Sequence, residues 1–196
     1  EKLKDCERSS GGGLELYICE GDSALSTLMS ARFSEYQAVL PVRGKTMNAN
    51  NYTLKKLMSN AEVQGIINTL GAGFGDNFDV NKMRYDRVFI AVDADEDGNN
   101  IACLLYVLFW HLFRPALEDN RLFMLQTPLF VFSNISGVNK DERVYALNET
   151  EKDELVKKFK SEKRKYTISR MKGLGEMNPD DMSVTSMDRR TRNVIQ

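Results

Sequence analysis

The chain has 196 residues, of which 42% are hydrophobic and 28% charged, as in an ordinary globular protein with its own core. Its formal net charge of −1 gives no bulk attraction for nucleic acid or an anionic membrane. No apolar run reaches the roughly 20 residues that span a bilayer, and three scattered cysteines argue against a disulfide framework or a cysteine-rich zinc site. The charged start Glu1–Asp5 lacks an export signal and an initiator Met, so we expect a cytoplasmic piece of a longer protein.

The first part of the chain predicts two strands separated by a helix. The β-prone segment Leu14–Cys19 alternates weakly and stops at a tight turn, which predicts the first strand. A helix is predicted over Ala24–Arg32, with Asp22 or Ser23 near its N-cap. The segment Tyr36–Val42 predicts the second strand.

Further elements follow from hydrophobic periodicity. They are a helix over residues 53–70, a buried strand at Arg87–Val92, a helix from Asn99 or Asn100 to Phe113, strands at Leu122–Leu125 and Leu129–Phe132, and a helix at Glu149–Lys160. Strands that alternate with helices predict an α/β fold with a largely parallel sheet flanked by helices. We expect one domain over residues 1–132 and a smaller, more polar α+β tail region over residues 133–196.

Acidic side chains follow two of the most apolar strands. Glu20 ends the first strand, and Asp93, Asp95 and Asp97 follow the strand at 87–92. Ligands of open α/β sheets collect beyond the carboxyl ends of the strands. Carboxylates held close together repel one another unless a cation compensates, and an all-oxygen set suits Mg²⁺ or Mn²⁺ better than zinc. The pattern therefore predicts a site for phosphoryl transfer assisted by a divalent metal.

Other interpretations of the charged residues remain open. The Asp93-x-Asp95-x-Asp97-Gly98 pattern also matches the opening of a calcium-binding EF-hand loop, but the twelfth position is Leu104 and the entering segment is β-prone. The acids could also be exposed turn residues. Residues 157–172 are strongly basic and follow an acidic stretch, which fits either a phosphate-facing surface or a solvated helix face.

Several motifs resemble one known family. The two acidic segments, Ile18–Ala24 and Val92–Gly98, are similar to the two signatures of the Toprim domain, a metal-binding fold of topoisomerases, bacterial primases and some nucleases. Further segments resemble the B subunit of bacterial type IIA topoisomerases, the DNA gyrase and topoisomerase IV family. These segments are Leu40–Lys45, Gln126–Leu129, Lys172–Pro179, and Met187-Asp188 followed by Thr191-Arg192.

The resemblance implies a Rossmann-like Toprim fold and a role for each matching residue. Glu20 and Asp93 would hold the Mg²⁺ ion at the scissile phosphate, and Asp93 with Asp95 would hold a second ion. Asp97 would support this cluster, and Mn²⁺ could replace Mg²⁺. Glu20 would also serve as acid–base group, with Lys45 as a helper at the reacting phosphate. The residues expected to line the DNA are Asp22, Ser23, Arg43, Lys45 and Lys172.

The resemblance also implies partners. The family makes a transient double-strand break in DNA with a tyrosine of the A subunit, and it uses ATP in an N-terminal region of the B subunit. We therefore expect the metal-binding half of a cleavage–religation site, inactive alone, with double-stranded DNA, the A subunit and the ATPase region as partners and no membrane partner. The alternatives are a diverged Toprim nuclease and a non-catalytic module for DNA binding or assembly.

The chain departs from the family pattern beside the acidic cluster. Asn100 and Ala102 replace a His and an Arg, and Leu25-Ser26 replaces a pair of glycines. These changes spare the metal ligands and leave a diverged paralogue or a topoisomerase IV-like subunit as alternatives. His111 and Trp110 lie in an apolar helix, so we expect them to be core residues.

Overall fold

The computed structural model describes residues 2–43, 47–137, 140–171 and 173–196. The strands are β1 (Glu15–Glu20), β2 (Gln37–Val42), β3 (Arg87–Ala91), β4 (Leu122–Leu125), β5 (Phe130–Asn134), β6 (Arg143–Ala146), β7 (Tyr166–Arg170) and β8 (Val194–Ile195). The helices are α1 (Gly21–Ala31), α2 (Leu54–Met58), α3 (Ala61–Leu70), α4 (Glu96–Leu112), α5 (Arg114–Glu118), α6 (Glu149–Ser161) and α7 (Pro179–Met182). Short 3₁₀ turns and one π turn, Ser183–Met187, complete the described elements.

The larger sheet has the order β2-β1-β3-β4-β8. Its first four strands are parallel, and the short strand β8 joins the edge antiparallel to β4. Connecting segments with helices link the parallel strands in sequence, as a parallel sheet requires. The predicted α/β fold with a largely parallel sheet is therefore confirmed.

Alternate residues of the central strands feed two separate cores, because side chains of a strand point to opposite faces. On one face, Leu16 and Ile18 of β1 pack in a cluster with residues of α3 and α4. On the other face, Tyr17 and Cys19 pack with α1 and with the C-terminal residues Leu174, Met182 and Met187. The sheet is thus covered on both sides, which explains why its strands are apolar throughout.

Three details of the predicted helices are wrong. The helix expected over residues 53–70 is two helices, and Asn60 starts the second by accepting hydrogen bonds from the N–H groups of Glu62 and Val63. Helix α1, expected from Ala24, begins three residues earlier with Glu20 as its N-cap, so Asp22 and Ser23 lie within its first turn. Helix α4 begins three residues before Asn99, with Asp95 as its N-cap.

Trp110 and His111 are also not core residues. The α4 residues Leu105, Leu108 and Leu112 form its buried face, whereas Trp110 is 51% exposed. The ring of Trp110 carries the guanidinium of Arg114 at 4.3 Å, and Nε2 of His111 lies 2.6 Å from Oδ1 of Asn50. An apolar helix on a sheet needs only one buried stripe, so its other side can expose large residues.

A second, antiparallel sheet has the order β6-β5-β7 and packs its own small core against α6. Phe132, Phe159 and Tyr166 meet there with ring centroids 5.2–5.5 Å apart. The expected boundary after residue 132 lies within β5, and the division into two domains remains a prediction. No helix in the described part of the chain is both long and apolar enough to cross a bilayer.

The C-terminal residues return to the larger sheet through a buried charge cluster. Glu15 is 1% exposed, and its carboxylate accepts hydrogen bonds from Arg192 at 2.7 and 3.0 Å and from Nε of Arg189 at 2.8 Å. Nε2 of Gln37 donates a further bond to the same carboxylate at 2.9 Å, and it also donates to the backbone oxygen of Met187. These bonds tie the end of the chain to the start of β1.

Candidate metal centre

The two acidic segments lie at the same edge of the larger sheet. Glu20 is the last residue of β1, and Asp93 follows β3 by two residues. Because β1 and β3 are parallel with Cys19 opposite Ala91, their carboxyl ends meet at this edge. Both acidic residues are half-buried. The fold therefore brings together the two segments that the sequence singled out.

The turn from β1 into α1 depends on Gly21. Its φ of +77° is a conformation that L-residues with a side chain seldom adopt. The chain reverses there from strand to helix and leaves Asp22 and Ser23 exposed at the start of α1. Arg43, directly after β2, forms an ion pair with Asp22 at 3.3 Å, so two of the expected DNA-lining residues are in contact. Lys45 and Lys172, which were also expected to line the DNA, lie outside the described residues.

Asp95 and Asp97 have a structural position at the start of α4. Oδ1 of Asp95 accepts a hydrogen bond of 2.7 Å from the N–H of Gly98 and so caps the helix. Asp97 lies in the first turn, where a negative charge interacts favourably with the helix dipole. Both residues are exposed. Capping is thus a role for Asp95 that the sequence interpretation did not assign, although Asp is a preferred N-cap residue.

The C-terminal segment Gly173–Glu176 contacts Asp93 after β3 and Ser23 in the first turn of α1. The backbone N–H of Leu174 donates a 2.7 Å hydrogen bond to Oδ1 of Asp93. Gly173 lies against the same carboxylate, and Gly175 lies against Ser23 of α1. The two glycines were the only sequence signal for this contact, since Asp93 and Leu174 are 81 residues apart. The resemblance implies a mainly structural role for Lys172–Pro179, in packing the tail and placing it near an A subunit, and does not include a contact with Asp93.

The chemistry of the donors fits a hard divalent cation, because the acidic side chains at this edge supply only oxygen atoms. The nearby thiol of Cys19 is 0% exposed and packs in the core with Tyr17 and Leu28, away from these carboxylates, and burial together with the charge of Asp22 raises its pKa to about 12. Within the described residues, no three His, Cys, Asp or Glu side chains are grouped closely enough to hold a metal ion. The assignment of Glu20, Asp93 and Asp95 as ligands therefore stays a prediction.

Two of the alternative interpretations lose support. An EF-hand needs an entering helix, but β3 enters the acidic turn, and Leu104 lies within α4. The chain changes from acidic to basic residues along α6. This helix has Glu149 and Glu151 in its first turn and Lys158 and Lys160 in its last. This is the arrangement that a helix dipole favours, and it accounts for part of the basic run without a phosphate partner.

The replaced family positions differ in their surroundings. Asn100 is exposed on the first turns of α4, whereas Ala102 is 3% exposed and packs in the core beneath them. The side chain at position 102 is therefore turned toward the core and offers no cation at the edge of the sheet.

Two family models match the chain. The Toprim domain family matches residues 15–127, a range that contains both acidic segments. A second family, described as the carboxyl terminus of the DNA gyrase B subunit, matches residues 163–196. The second match covers the segment that contacts Asp93.

Individual relatives match over the whole chain. The DNA gyrase B protein of Spiroplasma citri is 42% identical across 100% of this chain, and that of Thermotoga maritima is 40% identical across 100%. A topoisomerase subunit of Mycolicibacterium smegmatis, TopoN, is 40% identical across 99%. The chain spans 27–30% of the length of these relatives.

Proposed function

Because the chain belongs to the Toprim family, we propose that it is the metal-binding half of a DNA cleavage–religation site in a type IIA topoisomerase. Glu20, Asp93 and Asp95 would hold Mg²⁺, with Asp97 supporting the cluster. The observation that carries the proposal is the position of Glu20 and Asp93 at the carboxyl ends of adjacent parallel strands. The ligand set, the identity of the ion and a cytoplasmic location are parts of this proposal.

A bound ion would stabilise negative charge on the scissile phosphate and on the leaving oxygen. The chain's own cations would position the DNA beside it. Arg43 and Asp22 have side chains that are 64% and 68% exposed, so their ion pair contributes at most about 1 kcal/mol. Such a pair can open at little cost, which leaves the guanidinium of Arg43 able to bind a backbone phosphate. Lys45, Lys172 and Ser23 would add contacts to the same strand.

Partners complete the proposed activity. Relatives that the chain matches over 27–30% of their length are DNA gyrase B proteins and a topoisomerase subunit. We infer that an A subunit supplies the tyrosine nucleophile and that an N-terminal region of the B subunit uses ATP. The gyrase B carboxyl-terminal match at residues 163–196 favours a topoisomerase over a stand-alone Toprim nuclease or a non-catalytic assembly module.

The test is titration of Mg²⁺ and Mn²⁺ into the chain by calorimetry, with a short DNA duplex present because phosphate oxygens complete the shell of such ions. The variant is Asp93→Asn with Asp95→Asn, since Asn keeps the helix cap that Asp95 provides. Asp76→Asn is the control, because Asp76 is exposed beside Trp110, near the opposite end of α4. We expect binding that the double variant loses and the control keeps. Binding that is absent from the wild type, or equal in all three proteins, would overturn the proposal.

A further inference from the structure

The C-terminal segment Gly173–Glu176 contacts Asp93 after β3 and the start of α1, the helix that follows β1. Leu174 is 1% exposed and packs in the core cluster that contains Cys19 and Ala91, the residues next to those ends. Its backbone N–H donates to Oδ1 of Asp93. The segment is therefore fixed by burial on one side and touches an expected metal ligand on the other.

Gly173 is required for its small size and not for its backbone conformation. Its φ of −65° and ψ of 161° are available to any residue. A methyl group on Gly173 would lie 2.6 Å from Oδ2 and 3.1 Å from Oδ1 of Asp93. The carboxylate is the flexible end of a side chain, so the residue that would have to move is Asp93 itself.

Gly175 makes a similar close contact with the first turn of α1. A methyl group there would lie 2.7 Å from Cβ of Ser23, at the start of α1. Ser23 follows Glu20 by three residues. One short segment with two glycines thus approaches the turn after β1 and the turn after β3.

We propose that the segment Gly173–Leu174 positions the carboxylate of Asp93 for cation binding, an inference that rests on the proposed function. The N–H of Leu174 donates a hydrogen bond to Oδ1 of Asp93, and the close approach of Gly173 restricts rotation of this carboxylate. Because the described hydrogen bond goes to Oδ1, we assign the other carboxylate oxygen, Oδ2, to the cation. Hydrogen bonds to ligating carboxylates fix their orientation, and losing such a partner lowers metal affinity about 10–100-fold.

The residues that follow this segment are held by contacts remote from the acidic edge. Arg192 and Arg189 bind the buried carboxylate of Glu15 at the other end of β1, and β8 pairs with β4. A positioning role therefore couples the docking of the C-terminal residues to cation affinity. Because such coupling is reciprocal, a cation bound at Asp93 must also stabilise the docked segment.

The first test compares Gly173→Ala with Gly65→Ala in the full chain. Gly65 lies in α3 with open space around it, so an added methyl group meets nothing there. Mn²⁺ binding is measured by electron paramagnetic resonance in the presence of a short duplex, and folding is checked by circular dichroism in metal-free buffer. We expect a 10–100-fold lower Mn²⁺ affinity for Gly173→Ala with a native spectrum, and wild-type affinity for Gly65→Ala.

A second pair of variants isolates the hydrogen bond should Gly173→Ala fail to fold. Leu174 is the first residue of a 3₁₀ turn, where proline is tolerated, and Gly173 has the extended backbone that must precede proline. Leu174→Pro removes both the N–H and the buried side chain, whereas Leu174→Ala removes the side chain alone. We expect Leu174→Pro to bind Mn²⁺ about 10-fold or more weakly than Leu174→Ala.

The outcomes separate this inference from the function on which it rests. Two results would overturn the positioning role: equal Mn²⁺ affinity in Leu174→Pro and Leu174→Ala, or wild-type affinity in a folded Gly173→Ala. In either case the proposed function would stand as long as the Asp93→Asn/Asp95→Asn variant still lost binding. If the wild type itself bound no Mn²⁺ with the duplex present, the proposed function would fail first.

Discussion

The buried ion pair between Glu15 and Arg192 should dominate the docking of the C-terminal residues. The side chains of Glu15 and Arg192 are 2% and 5% exposed, and the guanidinium also stacks over the ring of Phe89 at 4.1 Å. The change Arg192→Met keeps much of this packing but leaves a buried carboxylate with Arg189, Gln37 and the hydroxyl of Tyr17 as its remaining partners. Removing one partner of a buried pair costs about 3–5 kcal/mol. We expect the lower end, about 3 kcal/mol, because these other partners stay.

Thermal unfolding at neutral pH measures this cost. For a domain of this size, 1 kcal/mol corresponds to roughly 2–4 °C, so Arg192→Met should lower the unfolding midpoint by about 6–12 °C. The matched control is Arg190→Met, since the side chain of Arg190 is 84% exposed and pairs with Asp188, two residues away. A loss below about 1 kcal/mol, the range of an exposed pair, would refute the inference that Arg192 compensates the charge of Glu15.

Three further predictions test other parts of the fold. Burial opposes ionisation of Glu15, but hydrogen bonds and charges from its arginine partners outweigh this effect and hold its pKa below the usual 4.5. Stability should therefore be lost as the pH falls below that value. Acid titration followed by circular dichroism measures this loss, and the same component should be absent from Glu15→Gln. Asn60→Ala should cost about 1 kcal/mol in urea unfolding, because it removes the cap of α3, whereas Asn60→Asp should cost little. Gly98→Ala should cost up to about 3 kcal/mol, because its methyl group would overlap the backbone oxygen of Asp93, while Gly65→Ala should be neutral or stabilising.

The larger sheet was predictable because its strands have local sequence patterns that are typical of strands. Arg87–Ala91 is a continuous apolar run that ends in acids, and Leu122–Leu125 is bounded by polar residues and a Thr-Pro pair. Strands β6 and β7 carried no such signal, since most of their residues are exposed or half-buried and polar. The break between α2 and α3 was not predicted because apolar residues keep their helical spacing across Ser59 and Asn60. Periodicity alone therefore gives no reason to end a helix there.

The sequence predicts that the acidic residues share one edge of the sheet, but it does not predict their contacts. Acids after two apolar strands predict a shared edge, because parallel strands place their carboxyl ends together. The bond between Leu174 and Asp93 joins residues 81 positions apart, and no local pattern encodes such a contact. Burial of Ala102 and exposure of Trp110 depend on which stripe of α4 meets the sheet, which composition alone does not decide.

The acidic edge combines carboxylates that are oriented by two independent parts of the chain. Asp95 is held by the first turn of its own helix, through the N–H of Gly98, and this bond forms whenever α4 forms. Asp93 is held by the N–H of Leu174, and this bond forms only when the C-terminal residues dock. A site with carboxylates already oriented binds a cation with less reorganisation, so affinity should require both conditions. Variants that weaken docking at Glu15 should therefore lower cation affinity through Asp93 alone, and the cap at Asp95 should be unaffected.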